Sequence, residues 1–281
     1  MRDLISVLRT FGGAAPRHTL YAHGFTQRQL QQQVMHGSLL RIGRQWLALP
    51  TVDPSVVTAL RAGGILGGGS ALRSYGIWVT EQTRIVDVAT VPHSSKKKFN
   101  GIRRVWHEHA ADADPWRVTV ADALWQYLQR AGRLDAIATL DSALYRGQLD
   151  LDGLAALRDR APERCRPWFD LVDPRAESGT ESIVRVSGLD HGWTVEPQVP
   201  FEGGRLDTVF EGWLCVECDS REHHSGLEQY DRDHRRNQNV LRAGGRWHRV
   251  THFDVMHDLE RTMQLISQIL SQGHPTRLRF G

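Results

Sequence analysis

Apolar residues recur at helical spacing in the opening stretch, at Leu4, Ile5, Leu8 and Phe11, and Gly12-Gly13 closes that segment as a C-cap would. Residues 18–23 read as a second short turn or helix closing at Gly24. Thr26 then offers an N-cap, Leu30 and Val34 share one helical face, and Gly37 stops the helix. Its outward face carries Gln27, Arg28, Gln31 and Gln32, the amides and guanidinium able to make paired hydrogen bonds to base edges in a major groove. Residues 39–49 alternate as two short strands turning at Gly43-Arg44, with Arg41 and Arg44 near the tip. Three helices and a basic hairpin predict a winged helix-turn-helix, the third helix in the groove and the wing over phosphate.

From Pro50 to Arg166 the pattern is structural. Residues 85–91 and 103–109 alternate as strands, residues 120–128 and 134–145 are amphipathic helices, and another helix begins at Gly153. The run Gly63 to Ser70 lacks the Gly-Lys-Ser/Thr ending of a phosphate-cradling loop and the spacing of a dinucleotide fingerprint, so it reads as flexible backbone leading into a helix at residues 70–75. Lys96, Lys97 and Lys98 read as a solvated loop, with a phosphate contact as the alternative. His107 and His109 have ligand spacing on one strand face, but no third ligand is near, so they are assigned to surface or packing.

The last hundred or so residues alternate helix, three strands, helix, strand, helix. Residues 194–201 are extended and interrupted by prolines, which suits an edge strand. Residues 205–210 and 213–219 are strands separated by the turn Glu211-Gly212. Asp207 falls on the first, while Glu217 and Asp219 alternate on the second and point from one face, about 7 Å apart. Strand interiors disfavour acids, and three of them on neighbouring strands repel unless a positive charge sits between them. Mg²⁺ or Mn²⁺ answers that need: it prefers oxygen ligands, accepts one or two carboxylates and keeps positions for water and phosphate. Asp207, Glu217 and Asp219 are therefore the expected metal ligands. Cys215 and Cys218 have zinc or redox spacing, yet an offset of three on a strand sends their sulfurs to opposite faces.

Composition narrows the class. Hydrophobic residues at 40% and charged residues at 24% of 281 exclude a disordered or fibrous chain. No apolar run reaches about eighteen residues, and the start MRDLISVLRTFGG carries an acid, so neither a membrane span nor a signal peptide is expected and the location is cytoplasmic. Cys165, Cys215 and Cys218 are too few for a disulfide scaffold. The net charge of +3 hides an asymmetry, because residues 1–110 hold 14 Lys+Arg against 5 Asp+Glu and the remainder 21 against 27. A basic front suits a polyanion and an acidic rear suits divalent cations.

The rear constellation resembles that of the PD-(D/E)xK nucleases. The run VECDSREHH, followed by YDRDHRRNQNVLRAGGRWHRVTHFD, is similar to the Vsr-like branch, whose relatives read roughly V-E-V-D-G-x-x-H-H, then a basic helix and a G-W-x-V strand. That resemblance runs from Glu177 to Leu270 and implies a restriction-endonuclease-like α/β domain with a central mixed sheet. It places the motif Asp at Asp207, the motif Glu at Glu217 and the acid of the preceding helix at Glu181. Asp219 joins the catalytic and metal residues, His224 is a proton-transfer or phosphate-contacting group with His223 beside it, and Gln198 matches a recurring glutamine. Arg232, Arg235 and Arg236 would clamp backbone phosphates. Asp219 stands where the general motif has lysine, Ser220 where relatives commonly have glycine, and Asn237 where an acid is common.

The head resembles the N-terminal domain of AbiEi antitoxins in its threonine-led helix, glycine and hydrophobic-arginine hairpin. The middle resembles actinobacterial proteins that join such a head to a Vsr-like nuclease. The expected organisation is an α+β multidomain chain: a winged helix-turn-helix over 1–50, a mixed α/β connector over 51–166 and a nuclease domain over 167–281. The expected activity is Mg²⁺- or Mn²⁺-dependent endonucleolytic hydrolysis of DNA, with DNA as partner and a cognate toxin or repair protein as a further one. The alternative is a DNA-binding regulator or antitoxin whose nuclease-like domain does not cleave.

Overall fold

The computed structural model describes residues 3–80, 84–90, 99–106, 113–202, 204–219 and 238–273. Lys96–Lys98, His107, His109, Ser220, His223, His224, Arg232, Arg235, Arg236 and Asn237 lie outside the described residues. Contacts divide the chain into two compact units: residues 1–77, 81–130 and 155–161 form one, and residues 78–80, 131–154 and 162–281 the other. Residues 131–154 fall in the second of these contact units. Secondary structure is α+β, with antiparallel and mixed sheets. Among the described residues, no helix is long and apolar enough to cross a membrane.

The first unit opens with α1 (Leu4–Thr10), β1 (Ala14–Pro16), α2 (Arg17–Ala22), α3 (Gln27–Met35), β2 (Leu40–Ile42) and β3 (Trp46–Ala48). A reciprocal cap starts α3: Thr26 accepts from the Gln29 amide while Gln29 accepts from the Thr26 amide. Gly43, at a φ of 57°, turns the chain between β2 and β3. The three strands pair antiparallel in the order β1-β3-β2 over a core that includes Leu8, Leu20, Leu30, Leu39 and Leu47. β1 escaped the pattern because three residues are too short to show alternation.

Next come α4 (Pro54–Arg61), β4 (Ile65–Leu66), α5 (Gly68–Ser74), β5 (Val86–Thr90), β6 (Ile102–Trp106) and α6 (Val120–Leu128). The glycine run is not flexible backbone. Gly67, Gly68 and Gly69 are buried, the Gly68 amide donates to Gln126 at 2.8 Å and the Gly69 amide to Asp87 at 2.9 Å. A Cβ at Gly64 would overlap the Ala89 carbonyl, so glycine is there for close packing. Asp87, buried in β5, is matched by Arg103 at 2.6 Å and Arg130 at 2.7 Å.

The second unit contains α7 (Arg133–Tyr145), the 3-10 segment Glu163–Leu171, α9 (Gly179–Asp190), β7 (Val195–Phe201), β8 (Gly204–Phe210) and β9 (Leu214–Asp219). Between α7 and the 3-10 segment, α8 (Leu151–Arg160) contributes residues to both units. Residues 238–242 are helical, followed by β10 (Arg246–Thr251), α10 (His252–His257) and α11 (Leu259–Ser271). The sheet order is β10-β9-β8-β7, with β9 and β10 parallel and the other pairs antiparallel. Prolines 197 and 200 are tolerated because β7 is the edge strand. Glu211 and Gly212 both have positive φ, 50° and 71°, as the primed turn joining β8 to β9 requires.

α7 and α9 meet through a buried ion pair, Arg185 to Asp141 at 2.8 Å, with the Asp173 amide donating to the same carboxylate at 2.7 Å. Burial pushes the Asp141 carboxyl up to about 6 from 3.8, against the opposing pull of Arg185. Its folded pKa therefore lies above its unfolded one, so this group's contribution to stability grows as pH falls through the folded value and levels off below the unfolded one. Relative to Asp141→Asn, the parent should gain about 1 kcal/mol of unfolding free energy between pH 7 and pH 5, read from urea titrations at the two pH values.

Candidate active site

Chemistry-bearing side chains form a row across the four-stranded sheet. Val199 pairs with Leu206 and Pro197 with Thr208, which brackets Gln198 and Asp207 on neighbouring strands, the ladder being interrupted at Gln198. Thr208 pairs with Val216, so the same register carried one step sets Asp207 opposite Glu217, and Arg249 pairs directly with Glu217. The row therefore reads Gln198, Asp207, Glu217, Arg249. Asp219 lies one repeat along the strand, beside Thr251 of β10. Strand alternation gives Glu217 and Asp219 a common face, and Arg249 meets both: its guanidinium is 3.6 Å from Glu217 and 3.4 Å from Asp219.

Each carboxylate has a defined partner. Asp207 is half-buried and accepts the Cys218 amide at 3.1 Å. Glu217 is almost wholly buried, whereas Asp219 is exposed at the strand end. Glu181, in the first turn of α9, accepts from the Glu177 amide at 3.0 Å, the Ser178 hydroxyl at 2.8 Å and Gln198 Nε2 at 2.9 Å. Burial nevertheless raises the pKa of Glu181, its three donors pulling the other way. Cys218 is pushed well above the ordinary thiol range, by burial first and then by the neighbouring carboxylates of Glu181, Asp207 and Asp219. It is a neutral thiol in an acidic neighbourhood, unsuited to nucleophilic work. Cys165, Cys215 and Cys218 are free and buried.

Gln198 holds a left-handed backbone, φ 54°, inside a strand. A non-glycine residue pays roughly 1–3 kcal/mol for such a conformation and keeps it only where surroundings enforce it. Here the turned backbone accompanies a carboxamide bonded to Glu181.

The expected site residues are thus partly gathered. Glu217 and Asp219 share one cation, Asp207 stands on the neighbouring strand, and Glu181 joins through Gln198. Among the described residues, no group of three His, Cys, Asp or Glu side chains stands close enough together to hold one metal ion. Glu217 and Asp219 alternate on one strand face, and the Arg249 guanidinium meets the oxygens of both. Sequence reasoning missed Arg249. It sits in a stretch rich in arginines, and only strand register singles it out.

In the first unit, Gln27, Arg28 and Gln31 are exposed along α3, and Arg41 and Arg44 are exposed on the hairpin. Arg41 Nε donates to the Gly43 carbonyl at 3.2 Å and braces the turn.

Residues 183–270 match the model of a restriction-endonuclease-like family, REase_MTES_1575, which supports a restriction-endonuclease-like C-terminal domain. The match spans Gln198, Asp207, Glu217, Asp219 and Arg249, and begins just after Glu181. A comparison with the curated proteins finds no match.

Gln198→Ala keeps the left-handed backbone but removes the donor to Glu181. It should destabilise the protein by about 1–3 kcal/mol. Chemical denaturation of the two proteins at pH 7 measures the difference, and equal midpoints would show that the strained glutamine holds nothing together.

Proposed function

We propose that the C-terminal domain is a DNA nuclease that hydrolyses phosphodiester bonds with Mg²⁺ or Mn²⁺, and that a winged helix at the N-terminus directs it. The observation that carries this reading is the acidic row of Asp207 and Glu217, with Asp219 beside it, inside the segment that matches a restriction-endonuclease-like family. Glu217 and Asp219 would hold the ion, with Asp207 alongside. When bound, a divalent ion supplies a Lewis acid for the scissile phosphate and acidifies a water. Asp207 is kept in place by the Cys218 amide. Glu181 and Gln198 position the edge strand behind the row, and His224 serves as the proton-transfer group.

The winged-helix assignment rests on element order and exposure. Helix, strand, two helices and a hairpin follow one another, and the hairpin pairs with the first strand. Gln27, Arg28 and Gln31 on the third helix are free of the core and able to reach base edges, while Arg41 and Arg44 would lie over phosphates. In the C-terminal domain, Arg232, Arg235 and Arg236 are proposed as phosphate clamps. The domain division at residues 1–50, 51–166 and 167–281 is kept as a functional one: reader, connector and nuclease.

One observation favours a second reading. Arg249 supplies a positive charge from the chain itself to both Glu217 and Asp219, which suits a domain that binds DNA and does not cut it. Such a protein would act as a regulator or antitoxin, with a cognate toxin as partner. A gel shift with and without EDTA separates the two, since a pure binder shifts DNA equally in both.

Incubation of the purified protein with Mn²⁺ and plasmid, mismatched or single-stranded DNA should yield cleavage, reduced by about 100-fold or more in Asp207→Ala. Intact DNA in every lane, parent and variant alike, would dispose of the nuclease.

Arg28→Ala or Gln31→Ala should reduce discrimination between sequences by about 1–3 kcal/mol, whereas Arg44→Ala should weaken binding to all sequences and lower the salt slope by about one. Titrations at several salt concentrations measure both, and an unchanged slope in Arg44→Ala would remove the wing from the interface.

A further inference from the structure

An exposed aromatic ring stands close to the acids in the fold. β9 and β10 run parallel with Thr251 in register with Asp219, and Phe253 follows two residues later, as the second residue of α10. Phe253 is 62% exposed, more than any other Phe, Tyr or Trp among the described residues. A lone exposed apolar residue is ordinary on a surface. Its mounting and its place set this one apart. Thr251 and Asp254 cap α10 reciprocally, the Thr251 amide and hydroxyl donating to Asp254 at 2.9 and 2.7 Å. Val255 is buried in the domain core and Met256 packs against that core. The helix is thus anchored by its inner residues while the Phe253 ring stays outside. One turn on, the His257 ring lies 4.7 Å from it, tilted by 41°, and restricts its movement.

Resting on the DNA nuclease reading above, we propose that Phe253 is a stacking platform for an unpaired base of the DNA, next to the phosphate that lies at the acidic row. A ring with two rotatable bonds on an anchored helix loses little conformational entropy when a ligand covers it. Every base has a π face, so the contact demands no particular sequence. The local charges select a base over a phosphate as occupant. Residues 252–261 carry Asp254, Asp258 and Glu260 against one arginine, Arg261, which lies 3.8 Å from Asp258. Three acids repel a phosphate and leave an uncharged base unopposed. A paired base keeps its faces inside the duplex, and extruding it costs unstacking energy. The platform therefore favours DNA that is single-stranded or carries an unpaired nucleotide beside the acidic row.

The test uses the full chain and a single-stranded oligothymidylate with a central 2-aminopurine, whose fluorescence falls when the base stacks on a ring, and a terminal fluorescein for anisotropy. Titrations run in EDTA and in CaCl₂, so binding is read apart from cleavage. The parent should bind and quench the 2-aminopurine. Phe253→Leu keeps apolar bulk without a π face; it should lose the quench and bind about 5- to 150-fold more weakly, the range of one base–aromatic stack. Phe253→Trp should quench and bind as the parent does. A Phe253→Leu protein that quenches and binds like the parent would overturn the platform and leave the DNA reading standing. A loss in Phe253→Leu that Phe253→Trp shares would overturn it as well, since a ring would then not be what matters. Absence of binding to single-stranded and duplex DNA by the parent in both buffers would overturn the DNA reading and the platform together.

Discussion

Carboxylates on a buried sheet must each be met by a donor or a positive charge, and the C-terminal domain is arranged around that requirement. Glu181 is met by three hydrogen-bond donors, the Cys218 amide is among the partners of Asp207, and the Arg249 guanidinium reaches both Glu217 and Asp219. These partners come from α9, β7, β9 and β10, so satisfying the acids fixes how those elements lie together. The parallel register of β9 and β10 is part of the solution. A slip of one residue would carry Arg249 to the opposite face and leave the Glu217 charge buried without it. The left-handed backbone at Gln198 belongs to the same account: local strain is tolerated where it delivers a donor to a buried acid.

Two other buried acids show what a purely structural solution looks like. Asp87 is held by Arg103 and Arg130 at 2.6 and 2.7 Å and by the Gly69 amide, and its carboxylate is 1% exposed. Asp141 and Arg185 are buried together and bond at 2.8 Å. Short, multiple contacts of this kind close an acid off from any other ligand. The Arg249 contacts are longer, one acid is at the surface and the guanidinium is solvated. The chain can make tight acid-arginine pairs and does so elsewhere. The longer pair lies near Asp207 and the strained Gln198.

Much of this was legible in the letters because local rules sufficed. Thr26 and Gly37 bound α3, Gly43 turns the first hairpin, Glu211-Gly212 turns the second, and alternate acids on β9 announce a shared face. What escaped depends on contacts distant in sequence. β1 and β4 are too short to display a period, and they become strands only when β3 and β5 pair with them. The glycine run looked mobile because its packing partners, Asp87, Ala89 and Gln126, lie well along the chain. The pairing of α7 with α9 through Asp141 and Arg185 likewise joins residues far apart in the sequence. Arg249 was one arginine among thirty-two until strand register set it opposite Glu217.

That same register bears on how one fold serves either cutting or binding. A nuclease and a DNA-holding relative need the same sheet, the same acids and the same compensation for buried charge; they differ in whether the compensating cation is supplied from solution or from the chain. Solution cations bring open coordination positions, so water and phosphate can enter alongside them. A guanidinium brings hydrogen-bond donors and no such positions. In this chain Arg249 stands beside Glu217 in the parallel register and supplies such donors to both acids of β9.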